Sequence, residues 1–226
     1  MAVLAGSSQQ VKVSRYQALV RQLKAGHFIA VLTVILLALA VLVHFFGVLE
    51  IDVAATRIIQ SVRTPTLDRV AQVITMAGNA GTLVVAAIVA ALYFLRIKLW
   101  RSSVIVLLSS VAYPLNVAIK DIVDRVRPTS QLVKIVSPAG GYSFPSGHAM
   151  VSMAVYGCIA YLLWTHVQTA RRWLIPIVAA VLILLIGLSR IYLGVHWFSD
   201  VFGGWIAGLV VLLVLGEIHR RWAVRQ

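Results

Sequence analysis

Six runs free of Lys, Arg, Asp and Glu occur at approximately 28–49, 80–95, 102–119, 148–166, 173–189 and 201–216. Apolar runs of this length cross, or nearly cross, a hydrocarbon core of about 30 Å, so the pattern predicts an all-α bundle of six transmembrane helices. Several are shorter than the usual span of about 20 residues, and flanking turns or a locally thinned bilayer must complete the crossing. Two other segments recur at helical spacing with charge interleaved. Residues 66–77 mix Leu67, Val70, Val73 and Ile74 with Asp68, Arg69 and Gln72, which predicts a short helix lying in the membrane interface. The turn Gly78-Asn79-Ala80-Gly81 would then redirect the chain into the bilayer. Tyr16, Leu19, Val20 and Leu23, among Lys12, Arg15, Arg21 and Lys24, predict a second interfacial helix before the first span.

Composition agrees with this pattern. Of 226 residues, 61% are hydrophobic and 12% charged, whereas a soluble domain is about half apolar and a quarter charged. The first run is too long for a secretory signal core and lacks a small-residue cleavage site, so it reads as a retained anchor. With no internal repeat or long linker, one membrane domain covers residues 1–226, of which 1–27 form a cytoplasmic N-terminal segment. The lone Cys158 has no partner for an internal disulfide. Pro114 and Pro176 fall inside the third and fifth runs, where a kink is expected. Gly204 and Gly208 are spaced for close helix packing.

A net charge of +13 would suggest a nucleic-acid partner in a soluble protein. Here the excess lies in short segments between apolar runs, where Lys and Arg set orientation and meet anionic lipid head groups, and no nucleic-acid partner is expected. Placing the N-terminus in the cytoplasm puts twelve of the 20 Lys and Arg in cytoplasmic segments, together with Glu217 alone among the acids. The other side receives eight basic residues and six acids, and Lys120, Arg125, Arg127 and Arg190 among those eight fall in the candidate site region. Both termini are therefore expected in the cytoplasm. Trp100, Trp164, Trp173 and Trp222 fall near the cytoplasmic ends, as in an aromatic belt.

Three short runs on the other side carry the candidate chemistry. Lys120 and Arg127, seven residues apart before Pro128, would lie two turns apart on one face if the helix continued to Pro128. A guanidinium fork and a mobile ammonium suit a tetrahedral phosphoryl group. Pro145-Ser146-Gly147-His148 opens the fourth run, so that Ser146 and Gly147 would present free amides and a hydroxyl to an anion. His148 at that place can give or take a proton near neutral pH. Ser189-Arg190 precedes His196 and Asp200, an i,i+4 pair expected on one face of the helix opening the sixth run. The carboxylate can hold the Nδ1 proton and leave Nε2 as nucleophile, while Arg190 adds a phosphate ligand. Two histidines and an aspartate could alternatively ligate a metal, but neighbouring Lys and Arg repel a divalent cation, and the expectation is that no metal or other cofactor is used.

In their order and internal spacing, these runs (K-x6-R-P, P-S-G-H and S-R-x5-H-x3-D) resemble the signature of the type 2 phosphatidic acid phosphatase superfamily. The resemblance spans roughly residues 120–200 by motif and most of the chain through its six-run pattern. It implies a six-helix membrane phosphatase whose site faces away from the cytoplasm, in agreement with the charge count. Position by position, it implies that Lys120, Arg127, Ser146, Gly147 and Arg190 bind phosphate, and that His196, assisted by Asp200, attacks phosphorus. His148 would protonate the leaving group and then activate water. Small six-span members resemble phosphatidylglycerophosphate and undecaprenyl pyrophosphate phosphatases, and phosphatidic acid fits the same chemistry. The expected partners are a lipid phosphate and the bilayer, with the oligomeric state left open. A phosphotransferase of the same superfamily, passing phosphate to another lipid, and a lipid or anion transporter using the basic groups as a binding site stand as alternatives.

Overall fold

The structure, a computed structural model, describes the backbone of residues 2–224 and the side chains of residues 22–222. In chain order the helices are α1 (Ala2–Phe46), α2 (Glu50–Gln60), α3 (Pro65–Met76), α4 (Ala80–Arg96), α5 (Trp100–Leu108), α6 (Ala112–Val123), α7 (Gly147–His166), α8 (Leu174–Tyr192) and α9 (Phe198–Val224). Five stretches are long and apolar enough to cross a membrane: Gln22–Phe46 of α1, α5 with α6, α7, α8, and α9 to Trp222. α3 and α4, bent by 47° at the break between them, form a sixth when taken together. The fold is therefore an all-helical membrane bundle of the kind the apolar runs predict.

Several boundaries differ from the sequence expectation for identifiable reasons. α1 is one continuous helix from Ala2, without the break that a separate surface helix over Tyr16–Leu23 requires; the side chains that would define its faces up to residue 21 lie outside the described ones. α2 is not announced by the apolar runs, because its buried positions are the polar Asp52, Thr56 and Gln60. α3 takes the place foreseen for the interfacial helix. Thr64 caps it by accepting from Leu67 N at 3.1 Å, and Pro65 fills the first turn, where no amide hydrogen is needed. It buries Ala71 and Thr75, packs against α8, and leaves Leu67, Val70 and Val73 exposed for lipid. The third span passes through a 3₁₀ turn at Ser109–Val111, just before Pro114, which has no amide hydrogen for the carbonyl four residues back. Pro176 falls in the first turn of α8, where it disrupts no bond, so the kink expected there is absent.

α7 is the central element and packs against α4, α6, α8 and α9. It buries Ala149, Met150, Val151, Ala154, Val155, Cys158 and Leu162. Its closest neighbour is α9, and the glycines explain the approach. A Cβ at Gly204 would lie 2.7 Å from Ser146 O and 2.9 Å from Ala149 Cβ, and one at Gly208 would lie 2.7 Å from Met153 Cβ. Backbone thus meets helix backbone along this seam, as small residues permit in membranes, and the N-termini of α7 and α9 are brought side by side. Outward positions such as Val85, Val89 and Leu92 on α4 and Val178 and Val181 on α8 are exposed. An apolar surface of that extent suits lipid rather than water.

Candidate active site

One end of the bundle gathers the last turns of α6 and α8, the first turns of α7 and α9, and the loop over 124–146. Helix N-termini present free amides and positive dipole ends there, while the C-terminal turns carry Lys120 and Arg190. α6 does not continue to Pro128. Asp124 adopts a left-handed conformation, φ 47°, and ends the helix, so Lys120 and Arg127 do not share a helix face as the spacing suggested. They converge by another route. Lys120 Nζ donates to Tyr142 O at 2.5 Å and to Ser143 O at 3.1 Å. Arg127 folds back from the loop, donating to Gly140 O and Gly141 O at 3.0 Å and to Val195 O at 2.8 Å, and stands 3.3 Å from His196 Nε2. Burial pulls the Arg127 guanidinium below its ordinary pKa, with Asp200 pulling the other way.

Ser146 is the N-cap residue of α7, and its amide donates to Asp200 O at 2.9 Å, tying α7 to α9. Its Oγ is buried and has no partner. Gly147 lets this helix end approach α6, because a Cβ there would lie 2.9 Å from Asn116 Oδ1. Arg190, also buried, donates from Nη1 to Thr75 Oγ1 at 2.7 Å, while its Nε is buried without a partner. Buried polar groups are nearly always paired, so two orphaned donors at one end of the bundle call for a ligand. His148 stands in the first turn of α7 with Nε2 3.0 Å from Asn79 Oδ1. Gly78, just before Asn79, permits the contact: a Cβ there would lie 2.8 Å from His148 Cδ2.

α9 begins at Phe198, so His196 stands in the turn before the helix rather than on it, and Asp200 occupies the first helical turn. The pair meets nonetheless, with Nδ1 3.4 Å from Asp200 Oδ2 and 3.5 Å from Ser143 Oγ. Asp200 Oδ2 also accepts from Trp197 N at 2.8 Å and from Ser143 Oγ, and Oδ1 accepts from Arg125 Nη1 at 2.5 Å. Burial pushes the His196 imidazole down to about 3, Asp200 offsetting only part of the shift. The ring is therefore neutral at neutral pH, with Nδ1 turned to the carboxylate and Nε2 to the cations.

All eight residues singled out from the sequence lie at this end of the bundle, and the structure adds partners that sequence reasoning missed. Arg125, counted only as a charge of the region, is buried among Asp52, Ser199 and Asp200. Asp52, Ser143, Ser199, Asn79 and Thr75 carry no motif. The available signal was the i,i+4 spacing of the polar Asp52, Thr56 and Gln60, of which Asp52 alone is charged, on one face of a helix. Among the described residues, no three His, Cys, Asp or Glu side chains gather where they could hold one metal ion.

A family model described as the PAP2 superfamily matches residues 98–223. The chain is 34% identical over 183 residues to phosphatidylglycerophosphatase B of Bacillus subtilis, a match covering 79% of this chain and 88% of that protein. A shorter match, 33% identical over 85 residues, covers 38% of this chain and 37% of an undecaprenyl-diphosphatase of Sulfolobus acidocaldarius. Among solved structures, a transmembrane PAP2 type phosphatidylglycerolphosphate phosphatase from Bacillus subtilis superposes with a TM-score of 0.78 at 30% identity, over 85% of this chain and 96% of that one.

Proposed function

Because the chain belongs to the PAP2 superfamily as a multi-pass membrane phosphatase, we propose that it hydrolyses a lipid phosphate monoester or pyrophosphate through a phosphohistidine on His196, without a metal ion. The observation that carries this reading is the pair of orphaned buried donors, Ser146 Oγ and Arg190 Nε, at the bundle end where His196 turns Nε2 toward a cation. A phosphoryl group bound there takes hydrogen bonds from Ser146, the α7 amides at Gly147, and Arg190. Lys120 and Arg127 leave their loop carbonyls, or share them, to neutralise the remaining oxygens. Fixed cations and dipoles aimed at the equatorial oxygens are the main source of rate in phosphoryl transfer.

The His196 Nε2 lone pair forms the N–P bond as the bond from phosphorus to the lipid oxygen breaks. Asp200 holds Nδ1–H and balances the positive charge that develops on the ring. His148, charged as the imidazolium beside the bound phosphate, gives a proton to the departing oxygen and, now neutral, takes one from water. That water attacks phosphorus, the N–P bond breaks, and inorganic phosphate leaves with Nε2 regenerated. The Lys and Arg distribution supports both termini in the cytoplasm and the site on the other face. The names of the relatives, with the shared chemistry of an interfacial phosphate on a long tail, support phosphatidylglycerophosphate, undecaprenyl pyrophosphate and phosphatidic acid as substrates.

Purified protein in detergent, assayed for phosphate release on these three lipids and on a soluble phosphoester, tests the reading. Release from at least one lipid, undiminished in excess EDTA and stopped by vanadate, is the expected result. Strict dependence on a divalent ion, or equal efficiency on the soluble ester, would overturn it.

A further inference from the structure

Arg125 lies within the run between Lys120 and Arg127 but turns away from the orphaned donors. Its side chain is fully buried, and its guanidinium is used on every side. Nη1 donates to Asp200 Oδ1 at 2.5 Å and to Ser199 Oγ at 2.7 Å, Nη2 to Asp52 Oδ2 at 2.5 Å, and Nε to Gly47 O at 3.0 Å. Asp52, equally buried on α2, accepts in addition from Ser199 N at 2.8 Å, Ser199 Oγ at 2.7 Å and Leu49 N at 3.3 Å. One guanidinium thus bridges two buried carboxylates, and one of those carboxylates faces His196.

A buried ion pair is weak evidence of stability, since an apolar replacement often serves as well. A three-charge cluster maintained on three separate segments therefore calls for another use. Two carboxylates against one guanidinium leave a net charge of −1 behind His196 Nδ1. The ring becomes positive as Nε2 bonds to phosphorus, and a fixed negative charge in a buried site stabilises that change. Arg125 alone would have the opposite effect: it would draw Asp200 away from His196 and remove the net charge. Asp52 holds the second arm of the guanidinium and restores both the geometry and the sign.

We propose that Asp52, acting through Arg125, is a positioning residue for the reaction: it fixes the Asp200 carboxylate and keeps one net negative charge behind the His196 nucleophile. The proposal rests on the phosphohistidine reading given above. Neither Asp52 nor Arg125 touches the substrate, so their effect falls on the phosphorylation step and not on phosphate binding.

A double-mutant cycle tests this with the full chain in detergent, assaying phosphate release from dioctanoyl phosphatidic acid. Asp52→Asn removes the charge and keeps a single acceptor oxygen, which can serve the Ser199 donors on one side but not the Arg125 arm on the other as well. It should lower kcat by about 10-fold with KM and the vanadate inhibition constant within about twofold. Asp200→Asn alone should cost about 10³-fold or more. Since Asp52 acts through Asp200, the double variant should be no more than about threefold slower than Asp200→Asn. Multiplied losses, or a rise in KM equal to the fall in kcat/KM, would overturn the proposal. If Asp52→Asn does not purify as a folded species, the cycle is run with Ser199→Ala. That variant removes the hydroxyl joining Arg125 to Asp52 and keeps the backbone contact, and the same non-additivity is expected. His196→Ala, run in parallel, separates the two levels: retained activity there refutes the phosphohistidine reading, whereas an inactive His196→Ala with multiplying Asp52 and Asp200 effects refutes only the role of Asp52.

Discussion

The two ends of the bundle use the same side-chain types, Arg, His and Ser, in different ways. At the end holding His196, the charges are buried, two carboxylates bracket one guanidinium, and Ser146 and Arg190 keep unpaired donors. At the opposite end, Arg101 donates to Trp222 O at 2.8 Å and lies over the rings of Trp100 and Trp222, 5.5 Å and 5.9 Å from their centroids. Its Nε also lacks a conventional partner, but the two aromatic faces take up the guanidinium charge. Arg220 and Arg221 pair with Glu217 one turn back, and Ser102 Oγ lies between His166 Nε2 and His219 Nε2 at 3.0 Å and 3.2 Å. Possessing cations and histidines therefore does not make a site. The distinction lies in donors left open at the N-terminus of α7 and the C-terminal turn of α8, beside a histidine that faces a carboxylate.

Breaking the open end should have the largest effect. Arg190→Ala removes a buried donor that no protein group satisfies, and kcat/KM for lipid phosphate should fall by about 10²–10³-fold, measured by phosphate release. Ser146→Ala removes one neutral donor from the same place, and a loss of about 10-fold is expected, with the thermal midpoint unchanged or slightly raised because an unsatisfied hydroxyl leaves the interior. Either variant behaving as wild type would place the phosphate elsewhere.

The pH dependence sharpens the contrast at smaller amplitude. A His196 imidazole held at about 3 in the folded protein by burial and near 6.5 in the unfolded chain takes up its proton only on unfolding across that window. Stability should therefore fall as pH drops from about 6.5 toward 3, and His196→Gln should flatten this decline in thermal midpoint measured in detergent. Stability unchanged by that substitution across the window would show that the ring is not held neutral. The smallest effect belongs to the satisfied end. Ser102→Ala should cost about 1 kcal/mol of stability and leave kcat/KM within about twofold. A large loss of activity would join the two ends functionally and erase the distinction between them.

Much of this was legible in the sequence because membranes impose simple rules. Runs without charge mark spans, and Lys and Arg collect between them. The candidate residues stood out because charged and titratable groups beside apolar runs are costly unless used, with Ser146 and Gly147 drawn in by their place before His148. What stayed hidden depended on long-range approach. Asp52 sits on a helix with no apolar run, and its partners lie 73 and 147 residues away in Arg125 and Ser199. Thr75 and Asn79 touch Arg190 and His148 only because Gly78 lets the α3–α4 turn close on α7 and α8. The spacing of Lys120 and Arg127 misled for a local reason: a left-handed Asp124 stops α6, so the two cations meet through a loop and not along a helix.

Covalent trapping gives the most direct measure of the central claim. Protein reacted briefly with ³²P-labelled lipid phosphate and quenched in alkali should carry label that survives base and is lost in acid, as an N–P bond requires. The label should map to the peptide containing His196 and be absent from His196→Ala. A turnover-competent enzyme that never carries such label under rapid quench, or label that persists in His196→Ala, would contradict the assignment of His196 as nucleophile.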